Sequence, residues 1–145
     1  MEQRLSLVTL GVTDVARARD FYERLGWQGQ EVQETVFFQA GSMAVILWGR
    51  DKLADDSGVV DEPRGAFDGV VLAQNVRSEA EVDAIAAAVG AAGGEVTRPP
   101  GPTFYGGYAA CFRDLDGHVW EIAYNPGFTL GADGALTLPD FGAPT

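Results

Sequence analysis

Cysteine and histidine each occur once in the 145 residues, as Cys111 and His118. A single cysteine excludes an intramolecular disulfide framework. Because Cys111 falls in an apolar strand, we expect a small buried residue rather than a reactive thiol. No hydrophobic run reaches the roughly 20 residues of a membrane-spanning helix, and the first residues begin no secretory signal. We therefore expect a cytoplasmic protein.

Positive charge is also scarce. Ten Lys and Arg residues stand against 21 Asp and Glu residues, which gives a formal net charge of -11. Such a surface repels nucleic acid and anionic membranes, so neither is expected as a partner. It attracts a cationic ligand, although the same charge also serves solubility.

The strongest positive signal is an internal repeat. Residues 5–48 predict a strand, an amphipathic helix and three further strands, and residues 67–124 repeat that order. One such module leaves an apolar sheet face uncovered, which a second copy covers. We therefore predict a single α+β domain over residues 1–145, with tandem βαβββ modules that form a curved mixed sheet around an internal cleft.

Two polar segments complete this organisation. Residues 49–66 are a polar, Asp-rich linker between the modules. Residues 125–145 form a turn-rich tail, which we expect to lie over the surface; one location open to it is the mouth of the cleft. In the second module, residues 95–98 predict a short strand. Residues 99–102 (Pro-Pro-Gly-Pro) predict a rigid loop outside the ladder, because proline lacks the N–H donor.

Several short motifs recur in a fixed order along the two modules. They are Val12-Thr13-Asp14-Val15, Asp20-Phe21-Tyr22 and Leu25-Gly26-Trp27, then Ala92-Gly93-Gly94, Asp114-Leu115-Asp116-Gly117-His118 and Trp120-Glu121-Ile122. With these motifs the chain resembles the vicinal-oxygen-chelate superfamily from residue 5 to about residue 126. That superfamily includes glyoxalase I, extradiol dioxygenases, fosfomycin-modifying enzymes and bleomycin-binding proteins.

In the enzymes, the resemblance implies a metal held by one ligand from the first and one from the last strand of each module. Carried over residue by residue, it leaves only Glu121. The first-strand positions are Leu7 and Gly69, and the partner of Glu121 in the first module is Leu47 or Val45. One carboxylate does not hold a catalytic ion, for which about three protein ligands are usual. We therefore expect no metal and no cofactor.

Three polar residues near the end of the second module allow a structural interpretation. Strand parity places His118 on the face opposite Glu121, directly after a turn, so we expect a solvated turn histidine rather than a ligand. Asp114 and Asp116 are expected to form the turn by bonding nearby backbone, since the short hairpin supplies too few oxygens for calcium.

Glu121 and a set of aromatic residues define the predicted binding cleft. A carboxylate with flat aromatic walls suits planar or cationic organic molecules. Glu121 serves either as the polar anchor, or as an acid or base, or it simply pairs with an arginine or a buried water. The loop at residues 104–108 is either a flexible border of the site or an ordered lead-in to a hairpin. The predicted ligand-binding residues are Thr9, Phe38, Trp48, Phe104, Tyr105, Tyr108 and Glu121.

Three functions compete on these observations. The leading hypothesis is a metal-independent small-molecule-binding protein of the bleomycin-resistance type. It sequesters an aromatic ligand, which is either neutral or cationic. The second is a glyoxalase-like lyase or isomerase, or a dioxygenase, with an irregular site around Glu121. The third is a cleft that serves only as a dimer or regulatory interface. The resemblance implies a homodimer and leaves open whether the chains exchange modules.

Overall fold

The two modules have the same order of elements in a computed structural model, which describes residues 1, 3, 5–62, 67–68 and 70–141. The first module contains β1 (Leu7–Val12), α1 (Val15–Arg24), β2 (Gly29–Val32), β3 (Thr35–Ala40) and β4 (Met43–Gly49). The second contains β5 (Val71–Val76), α3 (Glu79–Ala91), β6 (Glu95–Pro102), β7 (Tyr108–Arg113) and β8 (Val119–Tyr124). Between them lies α2 (Arg50–Asp56), and after them β9 (Thr129–Leu130) and β10 (Leu136–Thr137).

Each module forms a four-stranded mixed sheet. The strand orders are β1-β4-β3-β2 and β5-β8-β7-β6. The pairs β1–β4 and β5–β8 are parallel, while the neighbouring strands run antiparallel. These two sheets and their helices confirm the predicted α+β fold of tandem βαβββ modules. The strands β1 and β5 are the equivalent edges of the two sheets.

A single hydrophobic core joins the modules. The buried cluster includes Phe21 and Leu47 of the first module and Val82 and Ile122 of the second, all at most 3% exposed. Each large apolar side chain buried in this way contributes about 1.5–3 kcal/mol. Within this cluster the indole of Trp120 lies 5.7 Å from that of Trp27 in the other module. Neither module therefore covers its apolar face alone.

The linker is less irregular than predicted. Residues 50–56 form the helix α2, which packs on β1 at Gly11. A Cβ at Gly11 would lie 3.2 Å from Arg50 Cα and 3.3 Å from Leu53 Cδ2, so the helix axis approaches the strand because this residue has no side chain. The Asp-rich composition hid this helix, since its apolar contact is confined to Leu53 and Ala54. Part of the linker, residues 63–66, lies outside the described residues.

The expectation that the proline-rich segment leaves the ladder is wrong. The strand β6 continues to Pro102, with shifts in register between Val96 and Arg98 and between Arg98 and Gly101. Pro99 and Pro100 fall inside the second irregularity, where Arg98 pairs with Cys111 and Gly101 with Ala109. Since β6 is the outer strand of its sheet, the missing proline donors cost no ladder bond on the open side.

The described part of the tail does not cross the mouth of a cleft between the modules. It forms the small β9–β10 hairpin, and Arg77 Nη2 donates to the carbonyl oxygen of Gly131 at 2.6 Å. This places the tail beside β5 and α3; residues 142–145 lie outside the described residues. No described helix has the length and apolar character needed to cross a membrane.

We predict that Gly11→Ala destabilises the protein by about 1–3 kcal/mol, because the new methyl group overpacks the contact between β1 and α2. The matched control is Gly90→Ala in α3, where a Cβ would meet nothing within 4 Å. That change should stabilise the helix by about 0.5–1 kcal/mol. Denaturant unfolding of both variants measures the difference, and equal effects would show that α2 does not depend on Gly11.

Candidate functional site

A cavity lies at the seam between the two modules. Its volume is about 530 Å³, and its walls come from β1, from α2 with the segment after it, from Asp68, Val70 and Leu72, and from the start of β8. We call it the seam cavity. Its apolar lining residues are Val8, Leu10, Gly11, Leu53, Ala54, Val59, Val60, Val70, Leu72 and Val119, and its polar ones are Thr9, Arg50, Ser57, Asp61, Asp68 and His118.

Three valines in this wall are unusually exposed. Val59 is 61%, Val60 83% and Val70 59% accessible. Scattered surface valines need no explanation, but valines that converge on one concavity typically mark a site for an apolar partner. The seam cavity is therefore open on the side of the linker.

The helix α2 is tied down at the edge of the seam cavity by an ion pair. Arg50 Nε donates to Asp61 Oδ1 at 2.6 Å, and the two side chains are 26% and 32% exposed. A pair with this much solvent contact contributes at most about 1 kcal/mol. Its main effect is to hold the segment after α2 against the start of the helix.

A buried carboxylate lies behind the wall of the seam cavity. Asp114, 6% exposed, accepts the backbone N–H of Asp116 at 2.9 Å and that of His118 at 2.8 Å through Oδ1. Its Oδ2 accepts the Tyr22 hydroxyl at 2.6 Å and lies 2.7 Å from His118 Nδ1. Trp120 Nε1 donates to the Tyr22 oxygen at 3.2 Å. The network thus joins α1 of one module to the β7–β8 turn of the other.

These contacts set the protonation of both acids. Burial by itself raises the pKa of Asp114, but the hydrogen bonds and charge of His118 and the Tyr22 hydroxyl outweigh it, and the pKa falls below its usual value. Burial raises the pKa of Tyr22 strongly, and the negative charge of Asp114 adds to the rise. At neutral pH, Asp114 is therefore a carboxylate and Tyr22 a phenol that donates to it.

The same turn makes a second contact across the modules. Asp116 Oδ1 accepts the backbone N–H of Thr13 at 2.9 Å and its hydroxyl at 3.1 Å, just before α1 begins. Within the turn, Asp114 bonds the nearby backbone as predicted. The expectation of a solvated His118 is wrong, however. Its side chain is only 10% exposed, because Asp114 holds it inward, and the residue lines the seam cavity.

Glu121 lies elsewhere. It is on the opposite face of β8 from Trp120, its side chain is 31% exposed, and its Oε2 lies 3.4 Å from Arg98 Nη2. The structure thus shows the pairing with an arginine. The neighbouring Cys111 Sγ lies 4.0 Å from the same oxygen, and partial burial raises the pKa of this thiol. Cys111 is partly rather than fully buried.

The predicted aromatic walls do not assemble around Glu121. The expectation that Phe38 borders a cleft is wrong, because its ring is 1% exposed and packs 5.3 Å from that of Trp27 in the core. Tyr108 faces α3 instead of a cleft: its hydroxyl donates to Asp83 at 2.8 Å, and this hydrogen bond raises its pKa. Trp48 is partly buried at the end of β4, opposite Gly11.

The loop before β7 carries the remaining two aromatic residues. Phe104 is fully exposed and Tyr105 is 39% exposed, with their rings 5.3 Å apart. Hydrogen bonds between Thr103 and Gly107 close the loop, at 3.0 Å for Thr103 N to Gly107 O and 2.9 Å for Gly107 N to Thr103 Oγ1. These bonds favour the ordered lead-in. Of the seven predicted binding residues, Thr9 is the one that lines the seam cavity.

Strand register identifies the four positions where the resemblance implies metal ligands. Leu7 and Val71 each lie seven residues before the helix caps Asp14 and Ser78. Their partners are Ala44 and Val119, and two residues further lie Ile46 and Glu121. Ile46, rather than Leu47 or Val45, is therefore the counterpart of Glu121. Val71 replaces the predicted Gly69, which lies outside the described residues.

These four positions do not fit a divalent metal ion. Leu7, Ile46 and Val71 have no donor atom, and Glu121 already pairs with Arg98. The described residues also contain no group of three or more His, Cys, Asp or Glu side chains that could hold a metal.

Sequence reasoning missed most of the seam cavity. Its roof comes from α2 and from Val59 and Val60, which the Asp-rich composition of the linker concealed. The sequence does contain one indication of this wall: Val59 and Val60 are apolar residues in an otherwise polar segment, and a segment that only connects two modules does not require them.

Paired βαβββ modules with a cavity at their seam define a class of small α+β proteins. The model of the Glyoxalase/Bleomycin resistance protein/Dioxygenase superfamily matches residues 4–122. The chain belongs to this superfamily. A comparison with curated proteins finds no match.

Solved structures agree with this assignment. A glyoxalase-related enzyme from Fulvimarina pelagi is 36% identical with a TM-score of 0.86, covering 94% of this chain and 99% of that one. Hypothetical protein SA1046 from S. aureus is 29% identical with a TM-score of 0.76, over 86% and 95% of the two chains. Lactoylglutathione lyase from Agrobacterium tumefaciens, 22% identical with a TM-score of 0.63 over 86% and 95%, shares the fold.

We predict that Asp114→Asn lowers the free energy of unfolding at pH 7 by about 1.5–3 kcal/mol, because the buried donors lose a charged acceptor. The folded-state pKa of Asp114 lies below the unfolded value, about 3.9. Its contribution is therefore complete above that pH and is lost as the pH falls through the folded pKa.

Urea unfolding between pH 2 and pH 7 measures both effects. The Asn variant should show a shallower loss of stability below about pH 4, since this proton uptake is gone. The control is Asp20→Asn, which removes an exposed ion pair with Arg24 and should cost less than about 1 kcal/mol. If the free energy of unfolding falls with the same slope at acid pH in the wild type and in the Asp114 variant, the prediction is contradicted.

Proposed function

We propose that the protein binds a small molecule in the seam cavity without a metal ion, as a binding protein rather than a catalyst. The observation that carries this proposal is the concave space of about 530 Å³ between the modules, with ten apolar and six polar residues in its wall. Ligand sites typically have volumes of roughly 300–1,000 Å³ and this kind of lining.

The lining favours a compact aliphatic ligand. The described residues in the wall include no Phe, Tyr or Trp side chain, so the stacking on a large ring that favours an aromatic ligand has no support in this cavity. Asp61 and Asp68 lie at the wall, and the chain carries a net charge of -11. Together they favour a neutral or cationic polar group over an anionic one.

A second candidate function is catalysis around Glu121, as a lyase, isomerase or dioxygenase. The relative from Fulvimarina pelagi, described as a glyoxalase-related enzyme, favours it. Turnover of hemithioacetals or catechols that disappears in Glu121→Gln would support this function. A stoichiometric divalent ion that survives dialysis would oppose the metal-independent binder.

The open faces of the two sheets suit a homodimer. Leu7 is 49%, Phe37 39% and Val71 46% exposed, although all three are apolar strand residues. A second copy of the chain would cover them. Sedimentation equilibrium tests this point: a protein that stays monomeric at high concentration excludes the dimer. A cytoplasmic location remains a prediction.

We predict that Ala54→Trp blocks ligand binding, because Ala54 lies in the cavity wall and an indole fills part of the space. The probes are borneol and bornylamine, compact aliphatic molecules with one polar group. A ligand at a hundred times its Kd stabilises the wild type by about 2.7 kcal/mol. Thermal unfolding with and without probe measures this gain.

The control for the blocked cavity is Asp55→Trp, which places the same ring on the exposed neighbouring position of α2. It should retain the stabilisation that Ala54→Trp loses. Glu121→Gln should also retain it, and its own stability should change by less than about 1 kcal/mol, since its ion pair is partly exposed. Loss of probe binding in Glu121→Gln alone would move the site away from the seam cavity.

A further inference from the structure

The hydrogen bonds around Asp114 determine which ring nitrogen of His118 carries the proton. The carboxylate has no proton to donate, and Tyr22 already donates its hydroxyl hydrogen to Oδ2. The contact of 2.7 Å between His118 Nδ1 and Oδ2 therefore requires Nδ1 to be the donor. A neutral His118 then has its hydrogen on Nδ1 and a lone pair on Nε2.

The free lone pair has no protein partner within the described part of the chain. Every contact of the imidazole there involves Nδ1, yet the described residues include no fully buried side-chain nitrogen without a partner. Nε2 is therefore accessible, and the residue belongs to the wall of the seam cavity. A partly buried, oriented acceptor in an otherwise mostly aliphatic wall is suited to fix one polar group of a ligand.

We propose that Nε2 of His118 accepts a hydrogen bond from the ligand in the seam cavity. This rests on the proposed function and narrows it: the ligand is a compact aliphatic molecule with a hydroxyl or amine N–H that points at His118. Asp114 acts on this nitrogen indirectly, because it holds the ring and its tautomer.

The preference depends on the charge of the imidazole. Protonation turns Nε2 from an acceptor into a donor, to which an alcohol and a ketone can both match as acceptors, so the advantage of the alcohol is lost. The titratable and charged groups around the ring are Asp114 and Tyr22 behind it, and Arg50, Asp61 and Asp68 in the rest of the cavity wall.

Borneol and camphor test the proposal, because they have nearly the same shape and differ in an alcohol donor against a ketone acceptor. At pH 8 we expect borneol to bind at least about fivefold more tightly, the effect of one hydrogen bond. The chain has one histidine, so the nitrogen resonances of its imidazole are unambiguous in NMR spectra. Free protein should show hydrogen on Nδ1, and borneol should shift the Nε2 resonance.

Two variants separate ligand recognition from a structural role. His118→Asn keeps a donor near the Nδ1 position for Asp114 but has no atom at Nε2, so it should bind borneol and camphor equally. Tyr22→Phe removes a different donor to Asp114 and leaves the cavity wall intact, so it should keep the preference for borneol. Thermal unfolding of both variants reports damage to the network.

Each outcome decides between the inferences. Hydrogen on Nε2 in the free protein, equal binding of the two probes by the wild type, or an unchanged preference in His118→Asn overturns the role of His118. If borneol and camphor change the NMR chemical shifts of Val8 and Val70 but bind with equal affinity, the role of His118 is overturned while the seam cavity remains a binding site. If neither probe shifts these resonances, the proposed function fails and this inference falls with it.

Discussion

The carboxylate of Asp114 is the constraint on which the arrangement of the two modules depends. A charge with 6% exposure is costly unless its acceptor sites are filled, and here donors from both modules fill them. Tyr22 can reach it only if α1 lies against the β7–β8 turn, which brings Trp27 and Trp120 together in the shared core. The polar network thus selects one docking of the modules, while the apolar burial around it supplies most of the stabilisation.

The repeated fold could be predicted because its signals are local: strand alternation, helix periodicity and caps within each module. The site could not. Alternation separates Phe37 from Phe38 but does not say which face a helix covers, so Phe38 was expected at a cleft and lies in the core. For His118, parity was correct and burial was wrong, because its partner Asp114 is held in the interior by Tyr22, which is far away in sequence. The roof formed by α2 depends on Gly11, a contact between distant residues that no local pattern reveals.

The superfamily fold is retained here without the donors that the resemblance implies. Leu7, Ile46 and Val71 occupy three of the four ligand positions, and the fourth, Glu121, pairs with Arg98. Aliphatic side chains at three of these positions supply neither the donor atoms nor the negative charge that a divalent ion needs. The concave space available for a ligand lies instead at the seam, where the equivalent edges β1 and β5 contribute to one wall.

The contacts across the seam also bear on what would happen if the chain were cut between its halves. Asp116 supports the residue before α1, and Tyr22 fills the second half's carboxylate site, so each fragment would expose what the other covers. The fragments would have to associate in order to fold. The two modules of this duplicated architecture are therefore expected to unfold together as one cooperative unit and not as two independent domains.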